Sequence, residues 1–221
     1  MEAQLKPIWV EAGRPGAAKL LTAARRQGLD VKRAAVDAFV KAQESRQVFA
    51  PGPKSKGKVT ANGLDDRWQA DLIDWKQMDA SKNKGYKNVL VVVDIFSRFT
   101  WAMPLSSKSQ EDVMTAFKAI RASSNRKPAE VDSDGGADFG AAFTKMLEDG
   151  GIGHRVKRPG HTNAIAVVDS AIKRIKETLR QDMVEDPNGG WVKYLTRAVK
   201  ALNANSHDHL MGSAPSDVKG S

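Results

Sequence analysis

Apolar positions along residues 68–205 recur first with a period of two and later with a period near 3.6, and that change separates predicted strands from predicted helices. Trp68 to Trp75 alternates, with Trp68, Ala70, Leu72 and Asp74 on one face and Gln69, Asp71, Ile73 and Trp75 on the other. Lys82 to Lys87 reads as a turn. Asn88 to Phe96 is a continuous β-branched run suited to a strand buried on both faces, Ser97-Arg98 turns the chain, and Phe99 to Leu105 completes an antiparallel meander. Ser109 opens a helix to about Ser123 with Val113, Ala116, Phe117 and Ile120 on one side, and Glu111 and Asp112 in its first turn favour the helix dipole. Pro128 to Asp132 fits a short buried strand ended by Asp134-Gly135-Gly136; Phe139 to Asp149 is helical, and Ile152 to Val156 is a fifth strand. Pro159 to Thr162 is a loop, after which Ala164 to about Met183 and Trp191 to Asn205 are helices. The order βββ, α, β, α, β, α, α predicts an α/β fold, a mixed five-stranded sheet with flanking helices.

The first third of the chain has a different pattern. Residues 1–15 are short of apolar periodicity and are predicted to be a disordered start. Residues 16–47 are rich in Ala, Arg and Lys, and Leu20, Leu21 and Ala24, then Val31, Ala35, Phe39 and Val40, recur at helical spacing around a break at Gly28-Leu29-Asp30. This predicts a small basic helical region in which Asp30 caps the second helix. Residues 48–62, with Pro51, Gly52, Pro53 and Gly57, are a linker by composition, and Lys54, Lys56 and Lys58 belong to its solvated surface. The main domain is expected over 63–218.

Charge adds a partner to this outline. The 221 residues carry a formal net charge of +9, which favours association with a polyanion, and nucleic acid is the first candidate. With no cysteine there is no disulfide framework and no thiolate zinc site, and His207-x-His209 is followed by no further soft ligand, so zinc is not expected. The sequence contains no run of 18 apolar residues and its first 20 residues do not resemble a secretory signal, so neither a membrane partner nor secretion is expected and the protein is expected to be intracellular.

The candidate chemistry starts from Asp71. A carboxylate amid Trp68, Leu72, Ile73 and Trp75 needs a cation, a hydrogen-bond network or a cleft. The predicted order brings two more carboxylates to element ends near it: Asp134 after the fourth strand and Asp169 in the long helix. Such a trio suits two hard divalent ions, Mg2+ or Mn2+, about 3.5–4 Å apart, which serve phosphodiester displacement. Taken singly each is weak, because an Asp before Gly-Gly is also a turn former and Asp169 alone also fits a solvated helix face.

Three stretches make the resemblance specific. Gly63-Leu-Asp-Asp-Arg-Trp-Gln-Ala-Asp-Leu-Ile-Asp with Lys84-Gly-Tyr-Lys-Asn-Val-Leu-Val-Val-Val-Asp-Ile-Phe-Ser-Arg-Phe resembles the retroviral-type (rve) DDE integrase core, in particular that of Polinton/Maverick elements. Ser133-Asp-Gly-Gly-Ala-Asp-Phe resembles the family's second-carboxylate stretch, and Val167-Val-Asp-Ser-Ala-Ile-Lys-Arg-Ile-Lys-Glu-Thr-Leu its third-carboxylate helix. The resemblance implies a ribonuclease H-like fold over 63–218 and a catalytic, metal-holding trio of Asp71, Asp134 and Asp169. It implies 3′-end processing and strand transfer on double-stranded DNA, an assembly of at least two copies, and residence in the nucleus, the cytoplasm or a viral particle. It also implies DNA contacts from Lys173 and Lys176, four and seven residues beyond Asp169; a solvated basic face shared with Arg174 and Arg180 is the alternative. Arg155, Lys157, Arg158 and His161 flank the loop and are candidates for phosphate contacts, whereas His154 is read as structural. Asp74 and Asp94 are read as strand-end or network carboxylates.

Two departures matter. The family usually has Glu where this chain has Asp169, although the 34 intervening residues from Asp134 are close to the customary spacing. A carboxylate one methylene shorter shifts by about 1 Å, and misplacement on that scale costs on the order of 100-fold in rate. The helix also lacks the Glu-Arg-Phe-Asn signature of Polinton relatives. Two rival readings therefore stand beside the integrase: a catalytically decayed, integrase-derived DNA-binding or assembly protein, and a ribonuclease H-type nuclease.

Overall fold

The computed structural model describes residues 2–43, 59–75, 80–157 and 164–219. The chain divides into two compact units: one is Lys54–Lys173 with Val218–Ser221, and the other is Met1–Pro53 with Arg174–Asp217.

The first unit is built on a mixed sheet of β1 (Arg67–Asp74), β2 (Asn88–Asp94), β3 (Thr100–Leu105), β4 (Glu130–Ser133) and β5 (Gly153–Val156), in the spatial order β3-β2-β1-β4-β5. The meander is antiparallel, whereas β4 and β5 run parallel to β1. All seven residues of β2 are buried, as its unbroken β-branched run requires. Pro104 lies on β3, the edge strand, where a missing N–H costs no ladder bond.

Helix α4 (Gln110–Ser124) begins where Ser109 accepts a hydrogen bond from the Asp112 N–H at 3.1 Å. Its Val113, Ala116, Phe117 and Ile120 join Phe143 and Leu147 of α5 (Ala141–Asp149) over the Trp68, Ala70, Leu90, Val92 and Val131 face of the sheet. Residue alternation therefore directs Gln69 and Asp71 to the opposite face.

Helix α6 (Ala166–Glu185) contributes its first eight residues to this unit and the remainder to the second. The second unit contains α1 (Glu2–Glu11), α2 (Ala17–Arg26), α3 (Arg33–Lys41) and α7 (Trp191–Ala204). Leu5, Ile8 and Trp9 of α1 pack with Leu20, Ala24, Val31, Val36, Phe39 and Val40.

Two expectations are corrected here. Residues 2–11, within the predicted disordered start, form α1; its apolar face is only three residues wide and Pro7 interrupts it, so periodicity alone conceals it. Asp30 does not cap α3, whose N-cap position is Lys32 with no side-chain cap bond. Residues 48–58 of the predicted linker lie outside the described residues, and 59–62 contain neither helix nor strand. Among the described residues no helix is long and apolar enough to cross a membrane.

Candidate metal and nucleic-acid site

Strand register places the first two carboxylates. β1 and β4 pair in parallel with Arg67 opposite Glu130, Trp68 opposite Val131 and Gln69 opposite Asp132. The pairing ends there, and Asp71 and Asp134 each follow that last pair by two residues, Asp134 as the first residue after β4. Asp71 is half-buried, and its Oδ1 accepts from the Leu72 N–H at 2.7 Å. Asp134 is also half-buried; its Oδ1 accepts from the Gly136 N–H at 3.1 Å, the turn bond expected of an Asp before Gly-Gly. Gly136 is needed for closeness: a Cβ there would stand 3.0 Å from the same Oδ1.

Gln69 ties the third carboxylate to these two, although its sequence context draws no notice. Its Nε2 donates to Asp132 Oδ2 at 3.2 Å and to the Ala164 carbonyl at 2.7 Å. Its Oε1 accepts from the N–H groups of Val167 and Val168, both at 3.0 Å. One fully buried amide thus joins β1, β4 and the first turn of α6, and Asp169 is the next residue along that turn. Nothing in the local sequence marks Gln69, because its partners lie 63 to 99 residues away. An unpaired amide at a strand position facing away from the apolar side is the signal available in retrospect.

Asp169 is exposed at the surface. Its carboxyl is nevertheless pushed above its ordinary range, first by burial and then by the Asp134 charge, with Lys157 opposing. Asp134 and Asp169 therefore lie within each other's electrostatic reach. Like-charged carboxylates so placed favour a cation between them, and hard carboxylate oxygens are the donors that Mg2+ and Mn2+ take. Among the described residues, however, no three acidic, His or Cys side chains come close enough to hold one, so Asp169 does not complete the set in this conformation.

The neighbouring carboxylates are satisfied within the fold. Asp132 pairs with Arg67 at 2.7 Å, and Asp94 accepts from Ser97 and from Arg126, the latter at 3.0 Å. His154 bridges Ser133 Oγ at 2.8 Å and Thr144 Oγ1 at 2.7 Å. Burial lowers its pKa, although Asp132 and Glu148 act in the other direction.

The basic candidates divide. A cleft of about 560 Å3 is lined by Arg67, Ser133, His154, Arg155 and Lys157, among others, but by none of the three carboxylates. It forms a basic flank to them. Arg155 is exposed and pairs with Glu130 at 3.1 Å, Lys157 is the cation acting on Asp169, and Lys173 is exposed on α6. Lys176 belongs to the second compact unit. Arg158, His161 and the Pro159–Thr162 loop lie outside the described residues.

Residues 62–162 match the family model of the integrase core domain. A transposon-derived protein of Caenorhabditis elegans is 28% identical over 137 residues, covering 62% of this chain and 47% of that protein. The Pro-Pol polyprotein of simian foamy virus type 3 is 30% identical over 122 residues, covering 55% of this chain and 10% of the polyprotein. The chain thus spans under half the length of these curated relatives. A structure of the simian T-cell lymphotropic virus intasome superposes with a TM-score of 0.63 at 18% identity, over 92% of this chain and 70% of that one. The HTLV-2 integrase catalytic core domain, solved with magnesium in a trimeric form, superposes with a TM-score of 0.58 at 20% identity, over 72% of this chain and 98% of that one. The fold is the ribonuclease H-like fold of integrase cores.

Proposed function

We propose that the protein is a mobile-element integrase, of the Polinton type by its motifs, that processes DNA 3′ ends and joins them to target DNA. The observation that supports this reading is the parallel register of β1 and β4, in which Asp71 and Asp134 each follow the Gln69–Asp132 pair by two residues, with Gln69 bound to the turn before Asp169. Asp71, Asp134 and Asp169 would hold divalent ions, which when bound supply Lewis acidity for in-line displacement at phosphorus. Gln69 fixes the helix turn that precedes Asp169 against β1 and β4. Lys157 and Lys173 supply positive charge for DNA phosphates beside the carboxylates, giving affinity without base reading. Assembly of two or more copies on two DNA ends is part of the same proposal.

A specific pair of observations favours one rival, a decayed DNA-binding protein: Asp stands where Glu is usual, and the three carboxylates do not close among the described residues. The experiment is Mn2+-dependent strand transfer of a labelled duplex carrying the parent element's terminal sequence. Asp71→Asn and Asp134→Asn are expected to reduce joining by about 100- to 1000-fold while leaving DNA binding intact. A folded, DNA-binding wild type that joins nothing, with joining restored by Asp169→Glu, would establish decay. Cleavage of an RNA–DNA hybrid without joining would move the assignment to a nuclease.

A further inference from the structure

The second compact unit carries positive charge that its own fold leaves unmatched. Lys19 of α2 and Arg174 of α6 line one cleft of about 220 Å3, together with the Gly13–Gly16 turn, Gln181 and Asn205. Neither cation makes an ion pair or a side-chain hydrogen bond among the described residues. Arg174 is half-buried, not on the solvated basic face that its spacing from Asp169 suggests. Burial lowers the pKa of both groups, and the Arg174 charge lowers that of Lys19 further. Two acids act from a distance, Glu177 on the cleft wall and Asp208 beyond it, and neither approaches within ion-pair range. The same unit matches the buried Arg14 and the half-buried Arg197 closely, both pairing with Asp182.

Two further features point into the cleft. The ten-residue α2 starts there at Gly16, which offers no side-chain cap, and no acidic residue occupies its first turn. Gly16 and Lys19 line the cleft, so the positive end of the α2 dipole opens at its edge. Gln181 is 1% exposed, lines the cleft, and has an Oε1 with no hydrogen-bond partner. Half a turn about its last bond presents the two amide N–H donors instead.

We propose that this cleft is a phosphoryl-oxyanion site, in which Lys19, Arg174, the α2 N-terminus and Gln181 together surround one tetrahedral anion. The anion is either a backbone phosphate of DNA or a small free phosphate. Two cations, helix N–H groups and an amide match several oxygens on one centre, as a tetrahedral anion presents them and a halide does not. None of its residues belongs to the unit that carries the sheet.

Inorganic phosphate is the probe, applied to the full chain at ionic strength matched with chloride. Phosphate also stabilises folds non-specifically by exclusion from their surfaces, so the readout is the saturable part of the shift. The wild type is expected to gain about 2–4 °C in unfolding midpoint, and Lys19→Gln and Arg174→Gln to lose that gain. In phosphate-free, low-salt buffer both variants should melt at or above the wild type, because each removes half of a repelling pair. Duplex DNA binding then separates the sources. A log–log salt slope smaller by about 1 in the variants, with phosphate competing, assigns the site to backbone phosphate; an unchanged slope assigns it to small phosphates. An equal phosphate shift in wild type and variants, or variants that melt lower without phosphate, would overturn the proposal.

Discussion

The sheet unit and the helical unit treat charge alike but with opposite sign. Each contains a balanced network beside an unbalanced pair. In the sheet unit Asp132 is matched by Arg67 and Gln69, while Asp134 and Asp169 repel each other nearby. In the helical unit Asp182 is matched by Arg14 and Arg197, while Lys19 and Arg174 repel across a cleft. A matched buried charge serves the fold, since removing one partner strands the other. A repelling pair opposes the fold, so its presence points to a ligand of opposite sign: a cation on the sheet, an anion among the helices.

The comparison breaks most visibly at Asp182. Asp182→Asn should cost about 3–5 kcal/mol in urea unfolding, because it leaves the Arg14 and Arg197 guanidinium groups facing each other. An effect below about 1 kcal/mol would mean that the network is not what stabilises the helical unit. Next is Gln69→Ala. Losing its four hydrogen bonds, three to residues 164–168 beside Asp169 and one to Asp132, should lower joining by about 100-fold and weaken Mn2+ binding, with an unchanged circular dichroism spectrum. Equal metal affinity in wild type and variant would remove Gln69 from the site's positioning.

Asp134→Asn sharpens the contrast from the unbalanced side. It removes a repelling charge, so stability without metal should stay within about 0.5 kcal/mol of wild type or rise, even though joining is lost. A large destabilisation would place Asp134 among the matched charges.

The smallest effect belongs to His154. Its folded-state pKa lies below the ordinary 6.5, so the unfolded chain binds more protons in that window. Its stabilising contribution is therefore fully present above pH 6.5 and is lost as pH falls through the depressed folded value. Urea midpoints followed downward from pH 7 should fall in wild type and fall less in His154→Gln.

What the sequence makes legible follows the range of the interactions. The β-branched run at 88–94, the alternation at 67–74 and the Ser109 cap declare themselves within a few residues, and the sheet follows from them. That Asp71 and Asp134 each follow the paired positions Gln69 and Asp132 by two residues is also legible once both strands are drawn in parallel. Gln69 is not, because its amide is satisfied by groups on β4 and α6. Nor is Arg14, a non-glycine residue at φ 53 whose burial makes sense only with Asp182 and Glu185, some 170 positions later. Periodicity reports a face, and neither residue owes its role to a face.

That separation has a consequence during synthesis. The apolar residues joining α1, α2 and α3 lie between Leu5 and Val40, so those helices can associate while the chain is still short. Arg14 has then neither Asp182 nor Glu185 to pair with. Residues 54–173 come between, and at about 5–20 residues per second a ribosome needs roughly 6–24 s to supply them. For that interval the early helices carry a cation without its counterions, and the arrival of residues 182–185 completes a unit whose first half was made long before.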